Sequence, residues 1–248
     1  MKLLTWNLKW ARPGSKREQT IRSAIHTVDA DLICLTEAFR ATLPAGGGVI
    51  EAATGNPVAD RLGAKKVLLW SRWDWRAESV WPSVLPHGRL AMGQTDGQFG
   101  HLTVVGVCIP WRSSNMPRFG TGERGPWEDH LDFLKALRAE MQAHQNRTIV
   151  IGDFNQRVPR TRQPARVADA LDSAFGHLLI ATHGFRSSDG NLTIDHIAHS
   201  RDLNATDLVE LPRFDGALEL SDHFGVVCRP CADRLTVYWR RPHPRTHT

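Results

Sequence analysis

Apolar positions in this chain fall mostly in short runs that end on a polar residue and are followed by a loop or an amphipathic helix, which is the layout of an α/β protein. Residues 2–8 form the first predicted strand. Ser15-Lys16-Arg17-Glu18 follows, a capping-box pattern in which Ser15 and Glu18 satisfy backbone donors at a helix start. Ile21, Ala24, Ile25 and Val28 then share one helical face, and Leu32-Ile33-Cys34-Leu35 reads as a buried strand. Residues 40–64 are rich in Gly, Ala and Pro, include Gly46-Gly47-Gly48, and predict a surface loop.

Residues 66–70, 76–81, 89–92 and 101–109 are strand-like and separated by turn residues, the rhythm of antiparallel hairpins within a mixed sheet. A second loop at residues 110–125 leads to Pro126 at a first helical position, after which Trp127, Leu131, Leu134, Leu137 and Met141 trace an apolar face. Thr148-Ile149-Val150-Ile151 is β-branched and apolar throughout, so it predicts a central strand buried on both faces. A short helix at 167–174 and strands at 192–199, 224–228 and 235–239 complete the pattern. No internal repeat interrupts it.

Composition narrows the class. At 248 residues, 41% hydrophobic and 23% charged, the chain suits one α/β domain at 1–239 with a basic, Pro-containing tail at 240–248. No apolar run approaches the roughly 20 residues of a membrane-spanning helix. The start, Met1-Lys2-Leu3-Leu4-Thr5-Trp6, has no apolar core of secretory length and reads as the first strand. Cys34 and Cys108 lie inside apolar runs, and the Cys228-x-x-Cys231 pair has no second pair to complete a zinc site, so structural cysteines in a reducing, cytoplasmic setting are expected. The net charge of +5 and pI of about 9.3 favour polyanionic partners. The tail Arg240-Arg241-Pro242-His243-Pro244-Arg245 suits a solvated end or a nucleic-acid arm.

Candidate chemistry gathers at predicted strand ends, where a rigid sheet holds side chains beside open loops. Thr5-Trp6-Asn7, Leu35-Thr36-Glu37, Gly152-Asp153-Phe154-Asn155 and Ser221-Asp222-His223 occupy such places, while Asp195 lies inside the otherwise apolar Thr193-Ile194-Asp195-His196-Ile197 and needs a partner there. Each alone has a plainer reading as a turn, a helix cap or a solvated end. Jointly they supply what phosphoryl hydrolysis needs. Glu37, Asp222 and the Asn7 amide are hard oxygen ligands suited to Mg²⁺, with Mn²⁺ as a substitute. Asp153 can orient and deprotonate water, Asn155 can donate to a phosphate oxygen, and a His223 held by Asp195 can stabilise the transition state or protonate the leaving group.

With these motifs in this order, almost the whole chain resembles the endonuclease/exonuclease/phosphatase superfamily, which includes apurinic endonucleases, deoxyribonucleases, sphingomyelinases and inositol polyphosphate 5-phosphatases. The resemblance rests most specifically on Gly152-Asp153-Phe154-Asn155 and Ser221-Asp222-His223. It implies a four-layer sandwich of two mixed β-sheets flanked by helices. It further implies Asn7, Glu37 and Asp222 at a metal, Asp153 and Asn155 at water and phosphate, and Asp195 supporting His223. Two departures stand out. Lys9 occupies the place where repair nucleases of the family carry an Asp, which suggests a single-metal site. Cys108-Ile109-Pro110-Trp111 replaces their Tyr and Asn around a Pro, which argues against a dedicated abasic-site endonuclease.

For substrate, Trp111 and Arg112 follow the strand at 101–109, and Arg112, Arg118 and Arg124 are either phosphate donors or solvated loop residues. Trp70, Trp73, Trp75 and Trp81, interleaved with arginine, suit base stacking or, more often for strand tryptophans, core packing. The basic balance favours a nuclease acting on nucleic acid. A phosphatase or phosphodiesterase of small-molecule or lipid phosphoesters is the alternative, and an idle binding protein is disfavoured because all seven of Asn7, Glu37, Asp153, Asn155, Asp195, Asp222 and His223 remain.

Overall fold

The computed structural model describes residues 1–53, 60–80, 88–97, 100–114 and 124–232. Strand β1 (Leu3–Asn7) is buried along its whole length and pairs in parallel with β2 (Leu32–Phe39). Its residues alternate between two cores: Leu3 faces the interior between the sheets, while Leu4 and Trp6 pack under helix α1 (Lys16–Val28). Parity therefore carries Asn7 to the inter-sheet side. Ser15 caps α1 by accepting from the Glu18 N–H, and the buried Glu18 carboxylate accepts from the Gly14 N–H at 3.1 Å, one residue before the cap, while the Ser15 N–H donates to Arg12 O.

Sheet order in the first layer is β11-β14-β1-β2-β4-β3, with β3 (Gly48–Ala53), β4 (Ala64–Ser71), β11 (Leu203–Leu211) and β14 (Gly225–Ala232). The second sheet runs β5-β6-β7-β8-β10-β9, from β5 (Trp75–Val80), β6 (Leu90–Gly97), β7 (Gly100–Cys108), β8 (Thr148–Asp153), β9 (Leu178–Ile180) and β10 (Asp195–Ser200). Each sheet has one parallel pair, β1 with β2 and β7 with β8. Helices α2 (Glu128–Met141) and α3 (Ala165–Phe175) cover the second sheet through Phe133, Leu134, Leu137, Leu171 and Phe175. The four-layer sandwich implied by the resemblance is the observed architecture. A small hairpin, β12 (Phe214–Asp215) with β13 (Leu218–Glu219), precedes Ser221.

Several elements differ from expectation. The segment expected to be a loop contains a one-turn 3₁₀ helix at Arg40–Thr42 and the edge strand β3. Its glycines serve packing: a Cβ on Gly47, where φ is +69°, would stand 2.3 Å from the Ser71 carbonyl oxygen. Helix α2 starts at Glu128, after Trp127 in the left-handed region, so Pro126 lies before the helix instead of inside it. Its buried face runs through His130, Phe133, Leu134, Leu137 and Met141. Trp70 is buried with its Nε1 donating to Gly46 O at 2.8 Å, and Trp73 and Trp75 pack against the inter-sheet core, which resolves these tryptophans as packing residues. Cys34 and Cys108 are buried free thiols. Trp81, Arg118, the strand expected at 235–239 and the basic tail lie outside the described residues.

Candidate active site at the seam between the sheets

β8 and β10 are antiparallel neighbours, and their register sets Asp195 directly opposite Asp153. Both share the parity of Ile149, Ile151 and Ile197, so both carboxylates enter the space between the sheets, where they are 2% and 1% exposed. Like charges opposed across a strand pair repel, and the burial of each adds a desolvation cost. The first sheet supplies the compensation. Asn7 Nδ2 donates to Asp153 Oδ2 at 3.0 Å, and His223 Nδ1 meets Asp195 Oδ2 at 2.6 Å.

The loop bearing His223 is tied to β1. Ser221 Oγ donates to Asn7 O at 2.6 Å and accepts from the His223 N–H at 3.2 Å, while Trp6 Nε1 donates to His223 O at 3.0 Å. Burial alone would lower the imidazole's proton affinity; Asp195, with Asp153 and Asp222, more than offsets this and raises its pKa to about 10. His223 is therefore an imidazolium at neutral pH. Burial pushes the Asp153 carboxyl up to about 7, opposed by the His223 charge, reinforced by Asp195, and opposed again by donors from Asn155 and Asn7. Asp153 sits near neutrality between acid and base.

Asn155, at φ 53°, folds back on Asp153. Its backbone N–H donates to Asp153 Oδ1 at 2.8 Å, and its Nδ2 donates to Asp153 Oδ2 and to Ile109 O, each at 2.9 Å. Both amide hydrogens are thus engaged within the protein. Behind it, His130 Nδ1 donates to Pro110 O at 2.6 Å, which leaves Nε2 to accept from Gln156 Nε2 at 2.7 Å. His196 Nε2 donates to Gln156 O at 2.9 Å and its Nδ1 accepts from Thr182 at 2.7 Å. Burial lowers both histidines to about 4, so both are neutral and this donor pattern is self-consistent.

The residues expected at the metal are not gathered into one cluster among the described residues. Glu37, at φ 48°, interrupts the alternation of β2, and its carboxylate accepts from Lys66 Nζ at 2.7 Å; that ammonium also lies 5.0 Å from the Trp10 ring centroid. Asp222, about half exposed, pairs with Lys9 Nζ at 3.4 Å. The Asn7 Oδ1 accepts from the Lys9 N–H. Asp153, Asp195 and His223 do present ligand atoms within 4.8 Å of one another, a spacing at which the two carboxylates, but not a protonated His223, can hold a cation. The Asp195 Oδ1 is a buried oxygen with no hydrogen-bond partner among the described residues. These oxygens suit a hard divalent ion, and the two outer carboxylates each already face a cation, a lysine ammonium. The donor set fits such a metal by its chemistry.

Around this centre lie clefts that the strand-end motifs do not reveal. One of about 400 Å³ joins Arg112, Trp127, Asn155, Arg157 and Arg162, and one of about 150 Å³ joins Arg157, Arg213, Asp195, Asp222 and His223. Arg112 thus reaches the site, whereas Arg124 is engaged by Asp129 at 3.0 Å and by Asp132 on α2. Trp111 is 45% exposed next to Arg112. Sequence reasoning passed over Arg157 and Arg162, although three arginines within six residues after Gly-Asp-Phe-Asn were a visible signal. Lys66 had none, because only cross-strand register brings it to Glu37.

A family model described as the endonuclease/exonuclease/phosphatase family matches residues 4–223. The chain belongs to that family. Its members are divalent-metal-dependent phosphoester hydrolases. Comparison with curated proteins finds no match. Among solved structures, the chain is similar to an AP endonuclease from Archaeoglobus fulgidus at 15% identity and TM-score 0.66, covering 92% of this chain and 98% of that one. It is also similar to D. rerio TDP2 complexed with a single-strand DNA product, at 12% identity and TM-score 0.65, covering 94% and 99%. A mannosyl-6-phosphatase of Bacteroides thetaiotaomicron matches at 15% identity and TM-score 0.62, covering 93% and 99%. At these identities the likeness is one of fold, and the three differ in what they act on.

Proposed function

We propose that this phosphoesterase is a nuclease, hydrolysing nucleic-acid phosphodiesters with Mg²⁺, or Mn²⁺ in its place, by in-line attack of water. The observation that carries the reading is an arginine-lined cleft, with Arg112, Arg157 and Arg162, opening beside Asn155 and the paired Asp153 and Asp195. Glu37, Asp222 and the Asn7 amide oxygen, which stand apart and engaged by Lys66 and Lys9, would have to come together and release those contacts to hold the metal. When bound, the ion supplies positive charge to the phosphoryl oxygens and the leaving oxygen.

The remaining steps belong to the chain's own residues. Asp153, raised to about 7 by burial, accepts the proton of the attacking water. Asn7 and Asn155 fix its orientation, and Asn155 reaches a phosphate oxygen by releasing the Ile109 carbonyl. Asp195 keeps His223 protonated, and the imidazolium stabilises charge at phosphorus or protonates the leaving oxygen. Buried free thiols at Cys34 and Cys108 suit a reducing, cytoplasmic setting.

The test is a substrate panel with Mg²⁺: plasmid, single-stranded DNA and RNA beside nucleotides, sugar phosphates, inositol phosphates and phospholipids. Chelator-sensitive cleavage of a nucleic acid is expected. Product release from the small or lipid substrates alone would replace the nuclease reading with the phosphatase one.

A further inference from the structure

The loop that leaves β8 is basic, braced and turned toward the site. Gln163, 8% exposed, donates from Nε2 to Arg157 O at 2.6 Å and accepts on Oε1 from the Thr161 N–H at 3.2 Å. Gln156 anchors the loop's start by donating to Val167 O at 3.0 Å. The backbone is therefore held while the guanidinium groups of Arg157 and Arg162 stay exposed, and neither has an ion-pair or hydrogen-bond partner among the described residues. The Arg112 guanidinium is likewise exposed and unpaired there.

Arg17, Arg40, Arg72, Arg76 and Arg124 each bind a carbonyl or carboxylate. Arg12, Arg138, Arg166 and Arg201 are also unpaired among the described residues, but none of them lines this cleft. Three unneutralised guanidiniums line one cleft of about 400 Å³ whose inner wall is Asn155, the residue hydrogen-bonded to Asp153. Arg157 also lines the smaller cleft at Asp195 and His223. One arginine thus spans the reacting centre and a second compartment with no acidic residue among its described lining. Guanidinium forks recognise phosphate oxygens bidentately, and an anion seated among several of them neutralises their mutual repulsion.

We propose that this compartment is a second phosphate subsite, in which Arg112, Arg157 and Arg162 hold the phosphate next to the scissile one on a nucleic-acid strand. The inference rests on the nuclease reading for its ligand and deepens it: the substrate is a chain with successive phosphates, not a lone phosphoester. Each arginine contributes a phosphate contact and a share of the salt dependence of binding.

The test is binding of fluorescein-labelled oligothymidylate in the presence of chelator, followed by anisotropy over a range of salt concentrations. The proteins are the wild type, Arg112→Ala, Arg162→Ala and the Arg112→Ala/Arg162→Ala double variant. Arg138→Ala, which removes an exposed charge from α2, is the control. The double variant should bind about tenfold or more weakly and flatten the slope of log K against log salt by about 0.7, since the subsite neutralises one single-strand phosphate. The control should keep the wild-type slope. An unchanged slope in the double variant, an equal change in Arg138→Ala, or no wild-type binding overturns the subsite. Cleavage is read separately with Mg²⁺: slope loss without wild-type cleavage would keep the subsite and refute the nuclease reading.

Discussion

Asp153 and Asp195 face each other across β8 and β10, and the pair is stable only because His223 and two asparagine amides supply the opposite charge and the donors. His223 shows how strongly one residue depends on this. Its folded pKa of about 10 lies above the unfolded value near 6.5, so the stabilisation is fully present below about 6.5 and is lost as pH rises through about 10. Urea unfolding in chelator should show the protein losing about 2 kcal/mol between about pH 7 and pH 9 from this linkage, and His223→Gln should lose much less over that range. Equal slopes for the two proteins would show that His223 is not held as an imidazolium. At this scale the sequence was informative where the chemistry is local: Gly-Asp-Phe-Asn and Ser-Asp-His carry Asp153, Asn155, Asp222 and His223 within a few residues of chain. It was silent where a partner arrives by register, as Lys66 does at Glu37, or by packing of one sheet on the other, as Asn7 does at Asp153.

At the scale of elements, β8 occupies the centre of the second sheet because β7 can approach it closely. Gly152 has φ 142°, and a Cβ there would lie 2.0 Å from the Val107 carbonyl oxygen. Gly152→Ala should therefore cost about 2 kcal/mol or more, measured by denaturant unfolding, because a backbone atom must move to admit the methyl group. A variant as stable as the wild type would mean that β7 and β8 are not packed this way. Hydrophobic runs made β1, β2 and β8 legible, since strands buried on both faces have no polar positions to obscure them. Edge elements were harder. β11 reads Leu-Asn-Ala-Thr-Asp-Leu-Val-Glu-Leu, with half its positions facing water, and β3 hides behind glycines whose role is close packing against Trp70 and Trp75. The start of α2 was misplaced because Pro126 suits a first helical turn, whereas Trp127 in the left-handed region delays the helix to Glu128.

For the whole molecule, the decisive feature is that neither sheet holds the site alone. Asn7, Asp222 and His223 come from the first sheet and its loops, while Asp153, Asn155 and Asp195 come from the second. The order of strand-end motifs made the layered architecture readable through family resemblance. The arginine compartment was not readable, because it depends on how the loop after β8 folds over Asn155. Packing the sheets through Leu3, Cys34, Val104, Ile151 and Ile197 fixes the distance across which Asn7 and His223 reach their partners. The central claim is that this seam hydrolyses phosphodiesters with a divalent metal. The most direct test is the initial rate of oligonucleotide cleavage with Mg²⁺, with and without chelator, for the wild type and Asp153→Asn. The account predicts chelator-sensitive cleavage that falls about 100-fold or more in a variant that remains folded. Wild-type rates in folded Asp153→Asn, or cleavage indifferent to chelator, would contradict it.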